Sequence, residues 1–97
     1  MIEKTFSAAL QYSAPVFVEK DQKLAISLSG TFVGTVDIQR LVQSEIGRNY
    51  PAHSDAGWLT VDAFTSPIET GTDGDNCWYR AYCSAYSSGS PVIKLKV

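Results

Sequence analysis

With 97 residues, the sequence is the size of one small domain and leaves no room for a second. A composition of 44% apolar and 19% charged residues supplies a core without the help of a metal or a disulfide. Eight Lys and Arg against ten Asp and Glu give a net charge of -2, and the basic residues are scattered, which argues against a nucleic-acid surface. No apolar run approaches the roughly 18 to 20 residues that cross a bilayer, and no secretion signal precedes the first polar residues. We therefore expect one soluble domain, residues 1–97, that binds neither nucleic acid nor membrane.

Short segments in which apolar and polar residues alternate predict β-strands, and no helical period competes with them. The clearest segment is Lys23–Ser29, where Leu24, Ile26 and Leu28 share one face. Gly30 and Gly34 flank an expected turn or bulge. In chain order, the predicted strands are residues 4–10, 16–18, 23–29, 34–42, 58–65, 77–86 and 92–97.

Polar segments rich in Gly, Pro, Ser, Asn and Asp separate these strands. Residues 43–57 form the longest predicted loop, and a loop of that length in a small domain is usually functional or mobile. Residues 69–76 are predicted to be a polar connection with a turn at Asp73 and Gly74. Residues 87–90 are predicted to close a hairpin between the last two strands.

About seven short strands in a chain of this length predict an all-β fold, a single antiparallel β-sandwich without substantial helix. The aromatic strand followed by a Ser-Gly turn and a lysine-bearing strand resembles the last two strands of immunoglobulin or fibronectin type III domains. The expected sandwich is immunoglobulin-like or jelly-roll-like. Residues 1–18 are expected to form an arm or an edge strand that covers a sheet edge in this chain or in a neighbouring subunit.

The two cysteines, Cys77 and Cys83, lie six residues apart on one predicted strand. An extended backbone separates them by about 20 Å, whereas a disulfide needs Cα atoms within about 7 Å. We therefore expect two free thiols that pack as small apolar groups. Two cysteines and one histidine also cannot complete a structural zinc site within one chain.

Catalytic and metal sites have weak candidates in this sequence. His53 adjoins Ser54 and Asp55, but neighbours in sequence generally point their side chains apart, and a triad needs a held geometry. Asp73, Asp75 and Asn76 around a glycine superficially resemble a calcium loop, but the twelve-residue pattern with its final Glu is missing. We expect no catalytic residue, no metal and no cofactor, and interpret both segments as polar loop and turn.

Aromatic residues are the most conspicuous candidates for binding. By strand parity, Trp78, Tyr82 and Tyr86 share one face, while Tyr79 and Cys83 share the other. One face is expected to meet the opposite sheet. The other is left for a partner or for the loop at residues 43–57, and exposed Trp and Tyr there would suit either a protein interface or a sugar ring.

Several motifs together resemble those of small virion-associated proteins of tailed bacteriophages. They are LSGTFVGTVDIQR at residues 28–40, WLTV at 58–61, YR at 79–80, CSAYSSG at 83–89 and a final VIKLK strand. The resemblance covers roughly residues 24–97, although this sequence has a long connection at 43–57 where the relatives have a short turn. It implies a β-sandwich that decorates or cements a capsid, or that joins parts of a tail, in a symmetric assembly. It implies no catalytic residues.

We therefore expect a structural protein of a bacteriophage virion, made in the host cytoplasm, and not an enzyme. Capsid decoration through protein contacts is the leading hypothesis, with a tail, head-tail connector or fibre-adaptor role and a carbohydrate-binding module as alternatives. The expected partners are major capsid or tail proteins and further copies of the chain. The predicted contact residues are Phe6, Ile46, Tyr50, Trp78, Tyr82 and Tyr86.

Overall fold

The computed structural model describes residues 1–41, 51–52, 54 and 57–97. This part of the chain forms eight strands. They are β1 (Ile2–Thr5), β2 (Val16–Val18), β3 (Lys23–Ser29), β4 (Phe32–Leu41), β5 (Trp58–Phe64), β6 (Ile68–Asp73), β7 (Cys77–Gly89) and β8 (Val92–Lys96).

The strands form two antiparallel sheets of four strands each. Sheet A has the order β1-β8-β3-β6 and sheet B the order β2-β7-β4-β5. The first strand thus pairs with the last, the second with the seventh, the third with the sixth and the fourth with the fifth. A long hairpin rolled into two sheets in this way is a jelly roll, so the predicted all-β sandwich is confirmed and its topology is specified. Within the described residues there is no helix long and apolar enough to span a membrane.

The core lies between the sheets and follows the alternation of the strands. Sheet A contributes Leu24, Ile26 and Leu28 from β3, and Ile93 and Leu95 from β8. Sheet B contributes the buried residues Val18, Val36, Ile38, Tyr79, Ala81 and Cys83. Both cysteines are free, as predicted.

The N-terminal segment is an integral part of both sheets. β1 is an edge strand of sheet A against β8, and β2 is an edge strand of sheet B against β7. Between them, the chain stays bonded to β7, since Leu10 N–H donates to the Cys83 carbonyl at 2.7 Å and Ser13 N–H to the Ala81 carbonyl at 2.9 Å. The first predicted strand, residues 4–10, is too long because β1 ends at Thr5, where the chain crosses from sheet A to sheet B.

Two connections differ from the sequence prediction. Residues 69–76 were expected to be a polar connection, but residues 68–73 form β6, an edge strand that is paired with β3. Residues 87–90 do not close a hairpin, because β7 belongs to sheet B and continues to Gly89, while β8 belongs to sheet A. The comparison with an immunoglobulin-like final strand pair is therefore wrong.

Two glycine corners hold the sheets together at one end of the sandwich. Gly30 lies between β3 and β4, Gly89 is the last residue of β7 before the connection to β8, and both have positive φ, 97° and 95°. The corners touch: Ser90 N–H donates to the Thr31 carbonyl at 3.2 Å, and a Cβ on Gly89 would overlap that carbonyl. The two Ser-Gly motifs of the sequence thus encode two sheet crossovers that pack against each other.

Candidate binding surface

The outer face of sheet B carries most of the aromatic side chains that point away from the core. β7 places alternate residues there because Tyr79 and Ala81 are buried between the sheets. Residues from the segment before β2, from β2 itself and from β5 lie beside them. We call this surface the aromatic face, and it consists of Tyr12, Phe17, Trp58, Trp78, Arg80 and Tyr82.

Arg80 lies at the centre of the aromatic face, between two rings. Its Cζ atom is 4.0 Å from the centroid of Tyr12 and 4.1 Å from that of Trp58. The residue is only 3% exposed although it projects from the outer side of the sheet. A planar guanidinium between two π faces is attracted by both ring quadrupoles, and burial strengthens that attraction.

Polar groups complete the environment of Arg80. Its Nε donates to Gln39 Oε1 at 2.7 Å, and Gln39 Nε2 donates to Thr60 Oγ1 at 3.2 Å. This chain of side chains crosses β7, β4 and β5. Trp58 is fixed in turn by its Nε1, which donates to the Ala52 carbonyl at 3.1 Å. The described end of the long loop therefore contacts the aromatic face at Trp58.

Two ring pairs lie on the β2 side of the arginine. Tyr12 and Tyr82 stack with centroids 4.7 Å apart and an interplanar angle of 19°. Phe17 and Trp78, which are cross-strand partners, meet edge to face at 5.4 Å. All four residues are half-buried, so their rings still present area to solvent. The accessible part of the aromatic face is thus a preformed set of rings along β2 and β7.

Asp37 is a carboxylic acid buried beside this surface. It is paired with Tyr82 across β4 and β7 and is 9% exposed. Burial raises the pKa of its carboxyl above 3.8, and a hydrogen bond with the Ser84 side chain opposes that rise in part. A raised pKa means that the ionised form is less stable in the folded chain than in the unfolded one.

Replacing Asp37 with Asn should therefore stabilise the protein at neutral pH. The penalty of the carboxylate is absent below the ordinary pKa, grows as the pH rises toward the raised pKa and is complete above it. Asn keeps an oxygen for Ser84 and removes the charge. We expect Asp37→Asn to have a higher Tm than the parent at pH 7 and no such advantage near pH 3. An advantage of equal size at both pH values would contradict the assignment.

The predicted contact residues lie in different parts of the structure. Trp78 and Tyr82 lie on the aromatic face. Phe6 does not, because it is fully buried in the core, and its prediction as a surface contact is wrong. Ile46 and Tyr50 lie outside the described residues.

Tyr86 is also misplaced by strand parity. The β4–β7 register shifts twice, so that Val36 pairs with Cys83 but Thr35 pairs with Ala85, and Ser84 is an extra residue in β7. A bulge of this kind reverses which residues face inward beyond it. Tyr86 consequently packs against the core rather than beside Tyr82.

Sequence reasoning named only two of the six residues of the aromatic face, Trp78 and Tyr82, as contacts. Trp58 was among the aromatic candidates for binding but not among the predicted contacts, Arg80 was given no role, and Tyr12 and Phe17 were not singled out. The signal for Phe17 was its alternation with the inward residue Val18. Nothing in the sequence joined Tyr12 to a strand many residues away.

The weak chemical candidates make structural contacts. At the turn after β6, Asp73 forms an ion pair with Lys23 at 3.8 Å and Asp75 one with Arg40 at 3.9 Å. Asn76, with a positive φ of 54°, accepts a hydrogen bond from Lys20 N–H at 3.0 Å through its side chain. Within the described residues, no group of three His, Cys, Asp or Glu could hold a metal ion.

The remaining candidates for nucleophilic chemistry are the two cysteines, which pack in or against the core, and the His-Ser-Asp segment of the long loop. Burial raises the pKa of the Cys77 and Cys83 thiols, which disfavours the reactive thiolate. His53 and Asp55, the weak catalytic candidates beside Ser54, lie outside the described residues. The described surface is therefore best suited to binding another molecule through its aromatic side chains.

A comparison of the chain with protein-family models, with curated proteins and with solved structures gives no match.

Proposed function

We propose that the protein is a structural component of a bacteriophage virion, most specifically a capsid decoration or cement protein that binds its partner through the aromatic face. The single observation that carries the proposal is the preformed row of rings on the outer side of sheet B. It supports contact with another macromolecule because Trp and Tyr bury large areas at a low cost in conformational entropy.

The rings are held in place before any partner arrives. Tyr12 is fixed between Tyr82 and Arg80, and Phe17 fixes Trp78 from the neighbouring strand. A surface that needs no rearrangement loses little entropy on binding, and sites on strands are more precise than sites on loops. These properties suit a part that is repeated on a rigid lattice.

The virion assignment draws on the sequence motifs that resemble those of tailed-phage proteins. The two Ser-Gly motifs are sheet crossovers in this fold, so the shared pattern supports a shared architecture most directly. Jelly rolls occur in viral capsid domains and also in lectins, and a fold alone assigns no function. A tail, connector or fibre-adaptor position would use the same surface.

Assembly in many copies would strengthen weak contacts. A protein bound at repeated sites and touching its own neighbours gains avidity, so that each interface need not be large. Homo-oligomers on the particle and contacts with a capsid or tail protein are both parts of the proposal.

Carbohydrate binding is the second candidate, and the polar groups of the aromatic face argue against it. A sugar site needs accessible hydrogen-bonding groups beside its rings. Here Gln39 and Arg80 are buried and bonded to each other, and Asp37 is buried against β7. These three polar side chains of the described surface are therefore poorly placed to orient a sugar beside the accessible rings.

The proposal predicts that Trp78→Ala and Tyr82→Ala weaken binding to virions that lack the protein, prepared from the phage that encodes it. Removal of a central ring typically costs about 2 kcal/mol or more of binding free energy, which is about thirtyfold in affinity. Co-sedimentation with the particles would measure it, with folding checked by circular dichroism.

Val33→Ala is the matched control, because Val33 is an exposed apolar residue of β4 that lies near the glycine corners. Its binding should equal that of the parent. Equal binding by all three variants would overturn the aromatic face as the contact. Absence of the protein from purified virions of its phage would overturn the virion role, and binding of the isolated monomer to a glycan array through Trp78 would favour the second candidate.

A further inference from the structure

A second surface of the molecule lies at the free edges of the two sheets. β5 ends sheet B and β6 ends sheet A, and the short connection at residues 65–67 joins them, so both edges lie on one side of the sandwich. Among the described strands, β5 pairs only with β4. Within the described part of the chain, no strand pairs with its other edge.

β5 is the longest of the four edge strands. It has seven residues, against six in β6, four in β1 and three in β2. Its sequence WLTVDAF is rich in β-branched and aromatic residues, which favour pairing. Proteins usually shorten, charge or cover such an edge, because an open strand is a template for another strand.

Apolar side chains are exposed along this edge. Leu59 is 54% exposed and Val61 is 44% exposed, and Ile68 at the start of β6 is exposed as well. These side chains lie away from the accessible rings on β2 and β7, since β4 and β7 separate β5 from β2 in sheet B.

The net charge of this side is acidic. Residues 57–76 contain Asp62, Glu69, Asp73 and Asp75 and no Lys or Arg. Lys23 and Arg40 pair with Asp73 and Asp75, whereas Asp62 and Glu69 form no ion pair with any described residue. The open edge therefore combines exposed apolar groups with a net negative charge.

From these observations, we infer that the open edge of β5 binds an extended partner segment that alternates apolar and basic residues, by strand addition to sheet B. Main-chain hydrogen bonds would supply affinity, and alternate side chains would supply specificity. Lysine or arginine in the added strand would approach Asp62 with its charged group and cover Leu59, which lies on the same face of β5, with its aliphatic stem.

A second copy of this chain suits the edge less well than a basic strand. Edge-to-edge pairing of two copies would bring Asp62 and Glu69 of each copy toward those of the other, and like charges oppose pairing. The register between β4 and β5 also shifts at residues 38 and 39, which leaves Val61 as an extra residue in β5. A bulge bends the edge of a sheet and therefore hinders its pairing with the flat edge of a second sheet. A single extended segment can follow the bend and still pair.

The experiment uses the full chain and a designed peptide, acetyl-Lys-Val-Lys-Val-Thr-Val-Lys-amide, as the probe. We expect saturable binding, measured by fluorescence anisotropy, with slowed amide hydrogen exchange confined to residues 58–64. A peptide with Glu in place of Lys, and one with N-methyl groups at alternate positions, should bind at least about tenfold more weakly, since they lack the charge or the backbone donors.

Asp62→Lys should weaken binding of the lysine peptide and improve binding of the glutamate peptide. Glu3→Lys, on the edge strand of the other sheet, is the matched control and should change neither. The inference is overturned if the lysine peptide does not bind, if protection falls on another strand, or if both charge variants of the peptide bind equally. The site does not depend on the virion role, so either proposal can fail alone.

Discussion

Truncation of Phe6 to alanine should lower the free energy of unfolding by about 3–5 kcal/mol, the usual cost of removing a buried phenylalanine side chain. Phe6 is fully buried and belongs to the core cluster between the sheets, and its N–H donates to the Pro91 carbonyl at 2.9 Å. Small domains are stable by only about 5–15 kcal/mol, so this loss would remove a large share of the total.

Urea unfolding followed by tryptophan fluorescence would measure the effect, with Leu10→Ala as the control. Leu10 lies in the same N-terminal segment but is exposed, and its truncation should change stability by no more than about 0.5 kcal/mol. Equal effects of the two substitutions would mean that the segment docks loosely, as an arm would, and would refute the position of Phe6 in the core.

The alternation of apolar residues predicted the strands of the core best. Lys23–Ser29 has the same bounds in sequence and structure because it is central in sheet A, with one face buried and one exposed. β6 was missed for the opposite reason. Its sequence IETGTD has one large apolar residue, and pairing with β3 rather than burial makes it a strand.

Features that depend on register were beyond prediction. The extra residue Ser84 reverses which residues of β7 face the core beyond it. No residue type in CSAYSSG indicates a bulge at that position. Likewise, Gly30 and Gly89 indicated changes of chain direction, but a glycine does not specify whether the next strand stays in the sheet or crosses to the other. The error about the last two strands followed from that ambiguity.

The aromatic face was partly predictable. Parity placed Trp78 and Tyr82 together on one face of the strand without specifying which face points outward, and the structure has both on the outer side of sheet B. The burial of Arg80 depends on Tyr12 and Trp58, which reach it from segments remote in sequence. Long-range assembly of this kind leaves no local pattern to read.

Replacing Arg80 with alanine should destabilise the fold by about 3 kcal/mol. Two contacts with aromatic rings are lost, each worth up to about 2 kcal/mol when desolvated, together with a charge-assisted hydrogen bond of about 1.5–3 kcal/mol. The cost of desolvating the guanidinium offsets part of that sum. Gln39 Oε1 would also lose its partner, and the rings of Tyr12 and Trp58 would face a gap.

The Arg80→Lys variant distinguishes the contribution of the positive charge to stability from that of the planar guanidinium. Lysine keeps the positive charge but lacks the planar guanidinium that contacts both rings, so about half of the lost stability should remain lost. Thermal unfolding would give the ranking of parent, Lys variant and Ala variant, with Lys94→Ala on the exposed face of sheet A as the control that changes little. If the Lys variant matches the parent, charge alone holds the aromatic face together; if the Ala variant also matches it, the rings need no arginine. The expected ranking, with a shift in tryptophan emission in both Arg80 variants, would mean that the guanidinium itself orders the aromatic face.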